Sequence, residues 1–139
     1  MKTEKDPFVD NVAMELQMIE DKLAKIASQK TLHLTTTGRR TGKRLTVEVW
    51  FAVGKDSLYL SHEGAETDWM KNIKKNGTVT IEIGDRKFEG KAIYLRDGTD
   101  ECWRGKVALY EKYYGKATRE VIEDWFSLSK LIMVEFNTD

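Results

Sequence analysis

The sequence is poor in the residues that build metal centres and covalent cross-links. Its 139 residues include one cysteine, Cys102, and two histidines, His33 and His62. A single thiol excludes an internal disulfide framework, and two histidines without a cysteine cluster predict no metal site. No apolar run approaches the roughly 20 residues of a membrane-spanning helix. The charged first ten residues lack the apolar core of a signal peptide, so we predict a cytoplasmic protein.

Net charge is absent too, because 23 basic residues balance 23 acidic ones. A neutral chain is not drawn by bulk attraction to nucleic acid or to an anionic membrane, so any binding charge must be local. Hydrophobic residues make up 40% of the chain, which is enough to bury a core. We therefore predict a single folded domain over residues 1–139.

Hydrophobic periodicity predicts a mainly β chain with flanking helices. An amphipathic helix is expected over residues 7–29, capped by Asp6, and a short one over 66–76, ended by a left-handed Gly77. A helical insertion is expected over 99–128, broken near Gly115. Strands are expected over residues 31–37, 44–53, 57–62, 78–83, 87–95 and 130–137. About six strands with short helical insertions favour a small barrel over a doubly wound sheet.

The strongest local feature is a basic turn, which we define as Gly38–Lys43. Residues 31–50 carry four basic side chains against one acidic one. Glycines let backbone N–H groups converge on an anion, and arginine can bind phosphate oxygens through two parallel bonds. The spacing is not that of a Walker loop, because a strand follows the turn instead of a helix. The turn therefore predicts a phosphate site, with a solvated basic hairpin as the alternative.

Polar and aromatic residues elsewhere could complete a ligand site. Ser61 and His62 end a predicted strand, just before a helix that carries Trp69 and Asn72 on one face. Trp50 points away from the core side of its strand, where it could stack on a flat ligand. The alternatives are that Trp69 anchors the core and that Trp50 fills a dimer contact.

Three tyrosines fall on one stripe of the predicted late helix: Tyr110, Tyr113 and Tyr114. Such a stripe usually packs in the core, although a phenol beside a redox ligand could donate a proton. No nucleophile–base triad is visible. If the protein is an enzyme, a bound cofactor is expected to carry the chemistry.

The string from Leu34 to Lys43, followed by Val47 to Phe51 and by Ser61, Gly64, Trp69 and Asn72, resembles the deazaflavin-dependent nitroreductase family. That family belongs to the split β-barrel flavin-binding group, which includes pyridoxamine-phosphate oxidase-like proteins. The resemblance covers residues 31–95. The chain departs from the family pattern at Glu48 and Thr67, where proline is usual, and at His62, where lysine is usual.

The resemblance implies a split barrel of about six antiparallel strands and an oxidoreductase that reduces a small conjugated acceptor, such as a nitro compound or a quinone. It implies coenzyme F420 as cofactor, with FMN as the alternative, and a homodimer with the cofactor near its interface. The expected cofactor-binding residues are Thr36, Thr37, Gly38, Arg39, Arg40, Gly42, Lys43, Trp50, Ser61, His62, Trp69, Lys71 and Asn72. Two other functions stay open: a non-enzymatic flavin- or deazaflavin-binding protein, and a small-barrel nucleic-acid-binding module.

Overall fold

A computed structural model describes residues 14, 17, 18 and 26–136. Most of the predicted N-terminal helix, with its Asp6 cap, lies outside the described residues. The described chain contains six strands, all paired antiparallel. They are β1 Thr31–Thr37, β2 Arg44–Val53, β3 Ser57–Leu60, β4 Thr78–Ile83, β5 Arg86–Tyr94 and β6 Ile132–Phe136.

The strands close into one barrel in the order β1-β2-β3-β6-β5-β4. This confirms the predicted mainly β, split-barrel fold. Alternation along β2 sets its two faces, since Val49 and Phe51 are buried in the barrel core while Glu48 and Trp50 are exposed. Strand β3 ends at Leu60, two residues earlier than predicted, so Ser61 and His62 belong to the loop that follows.

Three helices lie among the described residues outside the barrel wall: α1 Asp68–Lys75, α2 Asp100–Tyr114 and α3 Arg119–Trp125. Helix α2 is capped at its N-terminus by Thr99, whose hydroxyl accepts the Cys102 N–H, and at its C-terminus by Gly115 with φ 85°. A second apolar cluster forms where α2 and α3 cover the outside of β2, β3 and β6. No described helix is long and apolar enough to cross a membrane.

The end of α1 corrects one prediction. The helix is capped by Asn76 in an extended conformation, and Gly77 does not have a positive φ. Glycine is required there for space, because a Cβ at Gly77 would lie 2.7 Å from the carbonyl oxygen of Ala92. The Ala92 N–H donates to the Gly77 carbonyl at 2.7 Å, so the close approach joins α1 to β5.

Candidate functional site

The basic turn is a closed hairpin connection between β1 and β2. The Gly38 N–H donates to the Lys43 carbonyl at 2.7 Å, and the Gly42 N–H donates to the Gly38 carbonyl at 2.9 Å. Gly42 has φ 72°, which a residue with a Cβ rarely adopts. Two more N–H groups are used within the protein, since Arg39 N–H donates to Asn72 and Lys43 N–H donates to Thr41. The prediction that backbone N–H groups converge on an anion is therefore wrong for these four groups.

A buried amide fixes the turn to α1. Asn72 is 3% exposed, and its Oδ1 accepts the Arg39 N–H at 3.1 Å and the Arg39 guanidinium at 2.9 Å. Its Nδ2 donates to the hydroxyl of Thr36, which is fully buried. Arg39 also contacts the side chain of Asp68 at 3.1 Å. Asn72, Arg39 and Thr36 therefore hold the turn in place, and their polar groups already have protein partners.

The cations that remain available at the turn are Arg40 and Lys43. Both are exposed, and neither side chain forms a hydrogen bond or ion pair with another described residue. Arg44, by contrast, donates to the Thr80 hydroxyl at 2.7 Å. Lys71, on α1, is also exposed. Two unpaired cations beside a rigid turn suit a phosphate or an acidic tail.

An aromatic cavity of about 250 Å³ lies between the outer face of β2, the loop after β3 and helices α2 and α3. It brings together the predicted residues Trp50, Ser61 and His62 with all three tyrosines of the stripe. Its full lining in the described chain is Glu48, Val49, Trp50, Ser61, His62, Glu63, Leu109, Tyr110, Tyr113, Tyr114, Trp125 and Phe126.

The cavity walls are aromatic rings that stand at angles to one another. The Trp50 and Tyr114 ring centroids lie 6.0 Å apart with an interplanar angle of 53°, and Tyr114 and Trp125 lie 5.9 Å apart at 56°. Trp50 is 42% exposed and Tyr114 is 50% exposed. Part of each ring is therefore open to a ligand, and flat faces of this kind favour a planar conjugated molecule.

Tyr113 is the structural member of the stripe. Its ring stacks on Trp50 with centroids 4.1 Å apart, and its hydroxyl accepts the Phe51 N–H at 2.9 Å. The same hydroxyl lies 2.6 Å from the Lys30 carbonyl oxygen and can donate to it. Burial raises the pKa of the phenol. Tyr113 therefore fixes Trp50 and joins α2 to the barrel wall, and its proton is already in use.

The polar rim of the cavity is formed after β3. Ser61 is buried, and its hydroxyl donates to the Lys130 carbonyl at 2.8 Å, which leaves its oxygen able to accept. The side chain of His62 is exposed, while its carbonyl accepts from the Ser129 hydroxyl at 2.7 Å. These two bonds fix the loop against the segment that leads into β6.

Trp69 lies away from the rim. It is 4% exposed and packs in the barrel core with Met70 and Ile73 of α1. Its burial favours the core-anchor alternative over contact with a ligand. Trp69 thus packs α1 against the barrel, and Asn72 attaches the basic turn to α1.

Sequence reasoning did not identify four residues that matter in the cavity: Glu48, Glu63, Trp125 and Phe126. In the sequence, Glu48 stands out only as a departure from the family pattern. Trp125 and Phe126 lie at the end of α3, and nothing local distinguishes them from core aromatics. They reach the cavity only because α3 folds back on α2, a contact that no motif records.

A buried amine lies beside the cavity on α2. The Lys112 Nζ sits 3.4 Å from the centroid of the Phe51 ring and 5.3 Å from that of Tyr113. It is buried and has no hydrogen-bond partner among the residues that the structure describes. Burial lowers the pKa of Lys112 to about 8. The aromatic rings stabilise its charged form only in part.

Comparison with solved structures defines the class of fold. The Rv2991 protein of Mycobacterium tuberculosis superimposes with a TM-score of 0.71 at 21% identity, covering 85% of this chain and 80% of that one. A pyridoxamine 5′-phosphate oxidase-type protein of Listeria innocua gives 0.62 at 17% identity, covering 86% and 94%. An F420 reductase gives 0.57 at 21%, covering 81% and 91%. The fold is thus the split barrel of the pyridoxamine-phosphate oxidase-like proteins.

The family follows from the sequence itself. The F420H(2)-dependent quinone reductase family matches residues 12–122, most of the chain, and the protein belongs to that family. Comparison with curated proteins finds no match. Family membership supports coenzyme F420 as the cofactor, as predicted.

The described residues fit this cofactor. Arg40 and Lys43 supply unpaired cations for a phosphate and an acidic tail, and the aromatic cavity supplies open ring faces for a conjugated ring system. The outward side chains of β2 connect the two places, because Arg44, Thr46, Glu48 and Trp50 alternate onto one exposed face.

Proposed function

We propose that the protein is an F420-dependent reductase of small conjugated acceptors, quinones first and nitro compounds second. We place the phosphate and acidic tail of the cofactor at Arg40 and Lys43 and its ring system at the aromatic cavity. The single observation that carries this assignment is the shared face of β2, which begins at the basic turn and ends in the cavity wall at Trp50.

The span of that face suits an elongated cofactor. Arg44 and Trp50 are six positions apart, which is about 20 Å of strand. The neighbouring strand β1 faces the first part of this stretch with hydroxyl side chains, since Thr37 pairs with Arg44 and Thr35 pairs with Thr46, and it faces Glu48 with His33. The surface between the two ends is therefore polar. A ring bound at one end could reach the cations at the other through a flexible phosphate-bearing chain.

The reduced cofactor supplies a hydride when it is bound. The protein would orient the ring against Trp50 and Tyr114 and exclude water with Trp125. Reduction of a quinone also requires a proton. Within the described structure the hydroxyls of Tyr110 and Tyr114 have no hydrogen-bond partner, whereas those of Tyr113 and Ser61 donate to carbonyls. Tyr110 and Tyr114 are therefore the phenols we propose as proton donors.

Binding is tested by titrating the purified protein with F420 and, in parallel, with FMN, following cofactor fluorescence. We expect F420 to bind more tightly. The double variant Arg40→Ala/Lys43→Ala should weaken F420 binding by about 10- to 100-fold at low salt, because two charge-assisted contacts are removed. Arg96→Ala/Lys116→Ala is the matched control, since both residues are exposed and lie outside the turn and the cavity.

Unchanged F420 affinity in Arg40→Ala/Lys43→Ala would reject the phosphate site. Preference for FMN would contradict the family cofactor. Catalysis is tested separately by following oxidation of reduced F420 with menadione and with a nitroaromatic compound. Tight F420 binding without oxidation by either acceptor would instead support the non-enzymatic binding protein.

We also propose a homodimer that covers part of the outer β2 face. Trp50 is 42% exposed on this face, so β2 presents a large apolar ring to solvent there. Light scattering at micromolar concentration should give twice the chain mass. A monomeric mass would overturn this part of the proposal without affecting the cofactor site.

A further inference from the structure

The aromatic cavity carries negative charge and no fixed positive charge. Among its described lining residues are two carboxylates, Glu48 and Glu63, and no lysine or arginine. Within the described lining, His62 is the one side chain that could become a cation; the Lys112 amine lies over the Phe51 ring and is not part of the lining. The cations assigned to the cofactor, Arg40 and Lys43, lie at the other end of the β2 face. The two ends of the candidate site therefore differ in electrostatic sign.

The two cavity carboxylates are not neutralised by neighbours, unlike several other acids of the chain. Glu66 contacts Lys74 at 2.8 Å, Glu101 contacts Arg104 at 3.0 Å, and Glu123 contacts Lys106 at 3.0 Å.

For Glu48 the one basic group within ion-pair range among the described residues is His33, at 3.9 Å and exposed. Glu63 forms no ion pair with any residue that the structure describes. Both carboxylates can therefore act on a ligand in the cavity.

The arrangement of the aromatic rings also favours a positively charged ligand. Trp50, Tyr110, Tyr114 and Trp125 meet at interplanar angles between 40° and 82°, so their faces surround a space instead of forming one stack. The face of an aromatic ring is electronegative, and several such faces around one space favour an organic cation. Nearby carboxylates add to this attraction.

We infer that the part of the cavity left open beside the cofactor ring selects the electron acceptor by charge, taking cationic and neutral planar acceptors and rejecting anionic ones. This inference rests on the proposed function and narrows its substrate class. With a cationic acceptor such as a phenothiazinium dye, hydride transfer would break one C–H bond of reduced F420 and form one new bond to the dye, which would become neutral, and the one proton that the oxidised cofactor releases would pass to solvent. The reduced product loses the charge that the cavity recognises, which favours its release.

The test compares kcat/KM for three acceptors with reduced F420: methylene blue as cation, menadione as neutral quinone and a naphthoquinone sulfonate as anion. Because the three acceptors differ in intrinsic reactivity, kcat/KM for the anion is first divided by kcat/KM for the neutral quinone. The readout, called the anion-to-neutral quotient, is this ratio for a variant divided by the same ratio for the wild type. Glu48→Gln and Glu63→Gln should each raise this quotient about fivefold, and the double variant should raise it further. The cation-to-neutral quotient should fall correspondingly.

Glu135→Gln is the matched control, because this exposed glutamate lies on β6 outside the cavity. Its quotients should stay at unity. The Glu48→Gln and Glu63→Gln measurements are repeated in protein that also carries His62→Gln, so that a histidine charge cannot offset the carboxylates. An independent check uses the wild type alone: raising salt from about 0.01 M to about 1 M should favour the anionic acceptor and disfavour the cationic one.

Quotients that stay at unity in the carboxylate variants, with menadione still reduced, would overturn charge selection and leave the proposed function standing. Failure of all three acceptors to oxidise reduced F420 would instead contradict the proposed function. Binding of methylene blue without turnover, measured by quenching of tryptophan fluorescence and weakened in Glu48→Gln/Glu63→Gln, would still support selection by charge.

Discussion

The basic turn and the aromatic cavity are stabilised by different kinds of contact. The turn is polar and exposed, and it takes its shape from the buried amide of Asn72. The cavity is mainly aromatic, and it takes its shape from ring packing and from one buried phenol, Tyr113. In each region the residue that fixes the geometry is not among those most available to a ligand. Scaffold residues and binding residues can therefore be tested separately.

The largest effect is expected at the scaffold of the turn. Asn72→Ala leaves the Arg39 N–H and the buried Thr36 hydroxyl without their partner, which should lower the free energy of unfolding by about 2–3 kcal/mol. F420 affinity should also fall, because Arg40 and Lys43 lose their fixed position. Urea denaturation and F420 titration measure the two effects.

Asn76→Ala is the control for that prediction, because Asn76 is exposed and its side chain accepts one N–H, from Thr78, at 3.0 Å. Asn76→Ala should lower the free energy of unfolding by less than about 1 kcal/mol, and it should leave F420 affinity unchanged. Equal destabilisation by Asn72→Ala and Asn76→Ala would show that the buried amide is not the anchor of the turn.

The scaffold of the cavity should give the next effect. Tyr113→Phe keeps the stack on Trp50 but removes the partner of the Phe51 N–H, so the free energy of unfolding should fall by about 1–2 kcal/mol. Tyr110→Phe removes a hydroxyl that has no partner in the described structure and should change stability by less than about 0.5 kcal/mol. Thermal and urea unfolding distinguish the pair, and equal losses would contradict the assignment of Tyr113 as the structural phenol.

Lys112 adds a pH dependence to the cavity side of the molecule. Its pKa is lowered to about 8 in the folded state, so the unfolded chain binds more protons above that pH. The contribution of Lys112 to the free energy of unfolding therefore rises as the pH increases from about 8 to about 10.5. Below about pH 8 this gain is absent. After allowance for partial exposure, the gain is about 1–2 kcal/mol. Lys112→Met should be more stable than the wild type at pH 7, and this difference should shrink as the pH rises.

Most of the barrel could be predicted because its signal is local. Strands β1, β2 and β4 have the bounds expected from β-branched residues and alternation. The contacts that shape the candidate site are not local. Arg39 and Asn72 are 33 positions apart, and Phe51 and Tyr113 are 62 apart. Only closure of the barrel and packing of α2 bring these pairs together.

The same distinction explains the errors of interpretation. Gly77 looked like a left-handed helix end because that is the usual local role of glycine, whereas its real constraint is the backbone of β5. The turn glycines suggested an anion nest, but their N–H groups close the hairpin itself. Family resemblance proposes the site residues, and the contacts divide them: Asn72 holds the turn in place, Trp69 packs in the core, and Arg40 and Lys43 stay available to a ligand.

The smallest expected effect is an acid sensitivity on the side of the molecule that bears α1. The carboxylate of Glu66 accepts from Lys74 at 2.8 Å and from the Tyr94 hydroxyl at 2.9 Å, and these bonds lower the pKa of Glu66 below its ordinary value. The contribution of Glu66 to the free energy of unfolding is therefore present above the pKa of Glu66 in the unfolded chain. This contribution is lost as the pH falls through the pKa of Glu66 in the folded chain. Glu66→Gln should destabilise slightly at pH 7, and its difference from the wild type should vanish in acid. A difference that persists unchanged at low pH would mean that packing, and not charge, links Glu66 to Tyr94 on β5.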